Sequence, residues 1–298
     1  VFATSGNLTV ASGAGRGTSE LYNLTINTGI TATVLTNNIG ISNVLTISGT
    51  GVFATGALIV LLNSGNANPI SCGSGTSITG TSVLVLNNSV DYNIPACTIA
   101  KSVQVENGAT GTRTATLTGA LIVNDTLWIS DIVGADGLVI LSTGTNSLTV
   151  TANGMNVGYA AGATTGAITQ TSGTVSITGN VDIQTAGSYL SFGSTTWTVT
   201  GTWTNSTTSA SWDAGTGTVT FNSVTGATVT FAGANLAEAE FNNVTFTSSA
   251  GTAQTFTMAT RGLRWLTTLT VSDTVSTTAL ASADLALGAA ADAADITV

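Results

Sequence analysis

Short runs along this chain alternate apolar residues with threonine or serine, and glycine or asparagine closes each run. Typical runs are Leu8–Val10, Leu24–Ile26, Leu45–Ile47, Leu148–Val150, Val175–Ile177, Val219–Phe221 and Leu269–Val271. A period of two with many β-branched residues is typical of short strands that bury one face. Helical periodicity is almost absent before residue 277, and 2 prolines in 298 residues leave strand ladders almost uninterrupted. The pattern predicts an all-β protein.

Several of these segments resemble one another at offsets near multiples of one length. The pairs are Thr55–Val60 with Thr118–Val123, Gly173–Ile177 with Gly217–Phe221, Ser82–Val85 with Ser102–Val105, and Leu21–Ile26 with Phe241–Phe246. All four offsets fit a coil of about 20–22 residues, which is the repeat range of solenoids. We therefore predict a parallel β-solenoid whose coils stack about 4.8 Å apart. The alternative is two or three β-sandwich domains that donate a terminal strand to a neighbour.

The predicted rod covers residues 1–276, and the character of the chain changes after it. Residues 277–298 are rich in alanine and aspartate, and Ala279–Leu287 is especially rich in alanine. Alternation near Leu285–Leu287 and the β-like Ile296–Val298 favour an extended arm, and a short helix that caps the rod is the alternative.

Four segments also carry a resemblance to a known class of proteins. Gly201–Asn205, Gly215–Asn222 and Phe241–Phe246 resemble the large secreted repeat proteins of bacteria and archaea, as does Leu21–Ile26. Those proteins are parallel β-helices of the adhesin or autotransporter-passenger type. The resemblance is clearest over residues 17–60 and 170–275, and it implies a fold and a surface location but no chemistry. This chain departs from the pattern in being short and in lacking a membrane barrel or an obvious wall-anchoring signal.

Composition removes several classes of function. Charged residues make up 6% of the chain, against about 25% in an ordinary soluble domain. Without histidine there is no Ser-His-Asp triad and no histidine-bound zinc or haem. Five cationic residues and a net charge of −9 argue against nucleic acid or an anionic membrane as partner. We expect a protein that is not an enzyme and needs no cofactor.

The start of the chain and its hydropathy predict an exported protein. It opens Val1–Thr4 without methionine, so we expect that a leader has been removed and that the chain is extracellular or on the cell surface. The longest strongly apolar run is Ala57–Leu62. A membrane-spanning helix needs about 20 apolar residues, so no membrane insertion is expected.

Cysteines and asparagines supply the candidate covalent features. Cys72 and Cys97 are the only cysteines, and we predict that they form a disulfide that joins one coil to the next. Candidate N-glycosylation sites, each within an Asn-x-Ser/Thr sequon, are Asn7, Asn23, Asn87, Asn124, Asn205 and Asn243.

The densest acidic group is a candidate catalytic centre because β-helices also host polysaccharide lyases and hydrolases. It consists of Asp125, Asp131 and Asp136, and Lys101 and Arg113 would fall about one coil below it. Such an enzyme needs clustered carboxylates for Ca²⁺ or for acid–base chemistry. Solvated turn residues between strands are the favoured interpretation.

Tryptophans and threonines suggest two binding surfaces. Trp197, Trp203 and Trp212 would bind sugar rings if they were exposed in line, but Trp197 and Val199 share one face of a strand, which favours packing inside the rod or between subunits. Thr196–Thr200 and Thr112–Thr116 resemble the Thr-x-Thr ladders of ice-binding solenoids. Bulky or charged residues interrupt that spacing along the sequence, so we favour threonine as an ordinary strand former that faces water.

The ends of the rod lead to a function. Phe2 and Leu8–Val10 begin almost at once, with no obvious N-terminal cap. An open solenoid end is a template for another chain, and head-to-tail contacts build filaments. We therefore expect a self-assembling extracellular filament whose partner is another copy, with glycans as a further candidate partner. The alternatives are a monomeric adhesin or carbohydrate-binding module, and a polysaccharide-degrading enzyme.

Overall fold

The computed structural model winds the chain as a parallel β-solenoid, and its described residues contain no helix. The described residues are 1–9, 20–130, 137–159, 164–206, 211–224, 227–231, 240–249, 254–259, 264–271, 275–280, 286–287 and 295–297.

The strands are short and follow one another along the whole described chain. In order they are β1 (Gly6–Leu8), β2 (Glu20–Ile26), β3 (Thr31–Val34), β4 (Ile39–Ile47), β5 (Val52–Ala54), β6 (Val60–Ser64), β7 (Ile70–Cys72), β8 (Ser77–Asn88), β9 (Tyr92–Ile94), β10 (Cys97–Asn107), β11 (Arg113–Leu117), β12 (Leu121–Val123), β13 (Leu127–Ile129), β14 (Val139–Gly144), β15 (Leu148–Val150), β16 (Met155–Val157), β17 (Gly166–Gln170), β18 (Thr174–Ile177), β19 (Val181–Ile183), β20 (Tyr189–Ser191), β21 (Thr196–Val199), β22 (Trp203–Asn205), β23 (Ser211–Asp213), β24 (Thr218–Asn222), β25 (Ala227–Phe231), β26 (Glu240–Thr247), β27 (Gln254–Ala259), β28 (Arg264–Val271), β29 (Val275–Leu280), β30 (Ala286–Leu287) and β31 (Asp295–Thr297).

These strands form three faces. Face 1 is the ladder β1-β3-β5-β8-β10-β12-β15-β18-β21-β24-β26-β28-β31. Face 2 is the ladder β2-β4-β6-β8-β10-β13-β16-β19-β22-β25-β27-β29. Face 3 contains β2-β4-β7, β9-β11-β14-β17-β20-β23 and, at the far end, the first residues of β26 and β28 with β30. Long strands such as β8 and β10 bend at a corner and take part in two faces.

About nine complete turns end at β23, and the ladders then continue to β31. Every strand ladder among the described residues is parallel, which confirms the predicted solenoid and makes the sandwich alternative wrong. On face 1 the coil spans 21 residues between Thr31 and Val52 and 22 between Thr174 and Thr196. It spans 27 between Leu121 and Leu148. The predicted coil of about 20–22 residues therefore describes the shortest turns, and the longer ones carry extra residues in their loops.

The core runs along the axis of the rod, between the three faces. Alternation places Leu121 and Val123 inside, both 0% exposed, and directs Ile122 outward. The same buried–exposed–buried pattern recurs in β13, β15, β16 and β19. Each turn thus contributes one layer of apolar side chains, and stacking removes those layers from water.

Of the four pairs of similar segments, two lie at related positions on different coils and two do not. Val175 in β18 and Val219 in β24 lie two rungs apart on face 1, as the offset of their segments predicted. Ser82–Val85 and Ser102–Val105 lie on neighbouring turns, but Ser102 pairs with Val83, one residue out of the expected register.

The identical hexapeptides Thr55–Val60 and Thr118–Val123 occupy different corners. The first leads into face 2 and the second into face 1. The prediction that the offset between these hexapeptides is a whole number of coils was therefore wrong.

The sequence similarity between Leu21–Ile26 and Phe241–Phe246 reflects a shared local structure, a corner within a strand. In both segments the register shifts just before an asparagine, Asn23 or Asn243, where the strand turns a corner. The second half joins face 3 in one case and face 1 in the other. This motif therefore encodes a corner and carries no information on the coil period.

The described parts of residues 277–298 continue the ladders. β29 pairs with β27, and β30 and β31 pair with β28. The segment thus supplies further rungs, and its role as a separate arm or cap stays a prediction.

Candidate functional site

The disulfide lies at the corner between faces 3 and 1. Cys72 ends β7 and Cys97 begins β10, and their Cα atoms are 5.5 Å apart. These are the corners of successive turns, so the bond joins one coil to the next as predicted. A cleft of about 250 Å³ opens beside it, lined by small residues that include Gly73, Gly75 and Ala96. That lining offers no ionisable side chain for chemistry.

Asp125, the described member of the acidic group, is bound into a corner between faces 1 and 2. Its carboxylate accepts hydrogen bonds from Ser102 Oγ at 2.7 Å and from Asn153 Nδ2 at 2.5 Å. Burial by itself would raise the pKa of Asp125, but hydrogen bonds from Ser102, Asn153 and Thr126 outweigh it and lower the pKa. Such a carboxylate stays ionised and fixed, which suits a structural bond between turns.

Of the catalytic group that the sequence suggested as an alternative, the structure describes Asp125, Lys101 and Arg113. Asp131 and Asp136 lie outside the described residues. Lys101 does lie one turn before Asp125, at the same corner, but its Nζ is directed inward. Arg113 begins β11 on face 3 and donates to the carbonyl oxygens of Ser89 and Thr112. Neither cation contacts Asp125.

Lys101 instead forms a buried bridge between distant turns. Its side chain is 1% exposed. Its Nζ donates to Thr55 Oγ1 at 2.7 Å and to the Leu58 carbonyl at 3.2 Å, two turns away. Gly80 occupies the turn between, where a Cβ would lie 2.5 Å from Thr55 Oγ1, so glycine keeps this path open. Burial lowers the pKa of Lys101 to about 8. Sequence reasoning missed this contact because it spans 46 residues.

A tyrosine of the core is held in its neutral form. Tyr92 is 2% exposed, and its hydroxyl donates to the Leu86 carbonyl at 3.0 Å. Burial raises the pKa of Tyr92, and the nearby Glu106 carboxylate raises it further. The phenol is therefore a structural donor across the core.

Trp197 lies inside the rod, as period two predicted, and Trp203 and Trp212 pack in the same core. Trp197 and Trp203 are fully buried, and Trp212 is half-buried. Trp203 packs edge-to-face against Phe241, with ring centroids 5.5 Å apart. In the neighbouring rungs Trp203 is flanked by Val181 and Val229, whose small size leaves room for the indole. Trp197 and Trp203 therefore offer no exposed surface for stacking on sugar rings.

The six sequons differ in accessibility. Asn7, Asn23 and Asn124 are exposed, whereas Asn87 and Asn243 are half-buried. Asn205 is 1% exposed inside the core, where a glycan has no room in the folded coil. Glycosylation stays a prediction, and the exposed asparagines suit it best.

An asparagine ladder follows the corner between faces 2 and 3. Asn43 Nδ2 donates to Asn23 Oδ1 at 2.9 Å, and Asn66 Nδ2 donates to Asn43 Oδ1 at 2.8 Å. Farther along, Asn88 Nδ2 donates to the Asn66 carbonyl. The recurrence of asparagine just after the second strand of a turn was the sequence signal that could have revealed this ladder.

The outward side of face 1 carries two rows of hydroxyl side chains, which we call the threonine face. The middle row is Thr149, Ser176, Thr198, Thr220, Thr245 and Thr270, on consecutive rungs. The second row is Thr174, Thr196, Thr218, Asn243 and Thr268, and the next rung in the same register is Asp295.

The expectation that bulky or charged residues interrupt the threonine spacing was wrong for these rungs. All members of both rows are half-buried or exposed, and none is charged. Unequal coil lengths hide the rows in the sequence, because a fixed period does not connect their members. The other proposed array, Thr112–Thr116, lies on face 3 and does not join them.

Two further features concern the described part of the chain. There, no three Cys, Asp or Glu side chains are grouped to hold a metal ion, and no helix is long and apolar enough to cross a membrane. No family model, curated protein or solved structure matches the chain.

Proposed function

We propose that the chain is a non-enzymatic structural protein of the extracellular space, of the adhesin-like β-helix type, whose copies stack end to end into a surface filament or matrix fibre. The observation that carries this proposal is the geometry of face 1. Its first rung, β1, and its last described rung, β31, are the two edges of one parallel ladder. A second copy placed end to end would continue that ladder without any reversal of strand direction.

The edge of β1 has the properties of a docking edge. On one side β1 pairs with β3, and among the described residues no strand pairs with its other side. Phe2, Leu8 and Leu21 lie partly exposed over the end of the core. Unpaired backbone groups above apolar side chains favour the addition of another coil. Because the two ends differ, such contacts are head-to-tail and propagate.

The disulfide and the charge are consistent with this role. A Cys72–Cys97 bond is typical of proteins that fold in an oxidising compartment. A net charge of −9 would limit lateral association between rods.

Electron microscopy and sedimentation of the purified protein test the proposal. We expect filaments that give a meridional reflection near ~4.8 Å. Leu8→Lys places a charge over the end of the core and should abolish most of the polymer. Thr204→Lys introduces the same charge on face 2, away from the ends, and serves as the matched control.

Uniform monomers of the wild-type protein at all concentrations would overturn the filament. Filaments that form equally well from both variants would contradict the assigned end contact.

A further inference from the structure

We propose that the threonine face is an ice-binding surface, a site that is independent of end-to-end assembly. The face presents a two-dimensional lattice of hydroxyl groups, and the ligand that it fits is the ordered water at the surface of ice. The proposal rests on the pairing register of face 1, which brings together threonines that are far apart in the sequence.

The lattice has two repeats. Along the rod, neighbouring rungs are separated by ~4.8 Å, and along each strand the two rows are two residues, or ~6.6 Å, apart. The rung repeat lies close to the shorter oxygen repeat on the prism face of hexagonal ice, and the repeat between rows is somewhat shorter than the longer one. Thr196 with Thr198, and Thr218 with Thr220, are two consecutive rungs of this lattice.

The side chains are suited to hold water in fixed places. Threonine is β-branched and has few rotamers, so its hydroxyl keeps its position at little cost in entropy. Each hydroxyl donates one hydrogen bond and accepts others, and each methyl group fills the gap between waters. Thr174 Oγ1 also donates to Ser147 Oγ on the preceding rung at 3.0 Å, which shows that neighbouring rungs are in contact.

Because these rungs of the two rows carry no charge, the threonine face suits a neutral ligand. A protein or anionic polysaccharide partner would favour charged groups, and none lies in either row from Thr174 to Thr268. The first charged residue in this register is Asp295, on the last described rung. Face 2 provides the contrast within the same molecule. Its outward column over four consecutive rungs is Trp128, Asn156, Asp182 and Thr204, which differ in size and charge. The regular lattice is thus a property of face 1 and does not follow from the threonine content alone.

Thermal hysteresis and uptake into a slowly growing ice surface measure this activity in the intact protein. We expect the wild-type protein to be enriched in the ice and to shape growing crystals. Thr220→Tyr places a bulky ring in the middle of the threonine face and should abolish most of both effects. Thr204→Tyr makes the same change on face 2 and should leave both effects unchanged. Circular dichroism verifies that each variant is folded.

Three outcomes would overturn the proposal. The folded wild-type protein could be excluded from ice as ordinary proteins are. Both tyrosine variants could lose binding equally, which would mean that the threonine face is not the site. The wild-type protein could instead bind microcrystalline cellulose and not ice, which would assign the lattice to a polysaccharide. If filaments form but ice is not bound, only this inference fails and the proposed assembly stands.

Discussion

The early and the late turns of this rod are joined to their neighbouring turns by different interactions. Between residues 24 and 190 the core is mainly leucine, isoleucine and valine. There the turns are also joined at their corners by the disulfide, the asparagine ladder and Lys101. Between residues 192 and 265 the core becomes aromatic, and Trp203 contacts both Phe192 and Phe221.

The difference shows two ways in which a solenoid with few charged residues can stabilise the contact between neighbouring coils. Aliphatic layers are stabilised by the area that they bury, and corner bonds fix one turn relative to the next. Aromatic rings are large enough to contact more than one rung, so packing inside the core can do the same task. Phe221 and Phe246, which pair on neighbouring rungs of face 1, have ring centroids 5.3 Å apart.

The largest effect is expected from emptying the aromatic core. Trp203→Ala should lower the free energy of unfolding by about 3–5 kcal/mol, because it removes a fully buried indole and leaves a cavity. Urea denaturation followed by circular dichroism measures this. Leu127→Ala is the matched variant, since Leu127 and Trp203 belong to one inward column of face 2. An equal loss in both variants would contradict a special contribution of the rings.

Breaking the disulfide should weaken the early turns selectively. The double substitution Cys72→Ala and Cys97→Ala should cost about 3 kcal/mol, because the bond restricts the unfolded chain. Hydrogen exchange should show faster opening of β7 to β10 and little change in β21 to β24. Reduction of the wild-type protein is the control and should reproduce the effect. Uniform loss of protection along the rod would show that the turns do not open independently.

Lys101 should make the early turns sensitive to pH. Its pKa is about 8 in the folded protein and 10.5 ordinarily, so the unfolded chain binds more protons between these values. The free energy of unfolding should therefore rise as pH increases from 8 towards 10.5. Below pH 8 the destabilisation caused by burying the charged Lys101 ammonium is present in full. Lys101→Met should remove this rise. Urea denaturation at pH 7.5 and at pH 9.5 gives the free energy of unfolding of each protein. An equal change between the two pH values in the wild-type protein and in Lys101→Met would contradict the assignment of the pH dependence to Lys101.

The smallest effect is expected at the asparagine ladder. Asn43→Ala removes two side-chain hydrogen bonds, to Asn23 and Asn66, at a corner that water partly reaches. We expect a loss of about 1 kcal/mol, since water replaces part of each bond. Asn63→Ala, at an exposed position of β6, is the control for the composition change. An Asn43 variant as stable as this control would mean that the ladder only accompanies the corner.

The sequence predicted the class of fold because that class depends on local chemistry. Runs such as Leu148–Val150 need only alternation and β-branching to form short strands, and Gly or Asn to end them. The pairing of Cys72 with Cys97 also followed from the sequence, since no other cysteine competes. The inward position of Trp197 followed from period two, because Val199 shares its face.

Only the tertiary structure decided the register, because pairing between coils depends on loop lengths that no short motif encodes. Identical hexapeptides beginning at Thr55 and Thr118 therefore lie on different corners, where Thr55 is buried and Thr118 is exposed. The same register placed Lys101 against Thr55 and aligned the threonines of face 1 into rows. Local alternation fixes which side of a strand is buried, whereas the stacking of unequal coils determines which residues become neighbours.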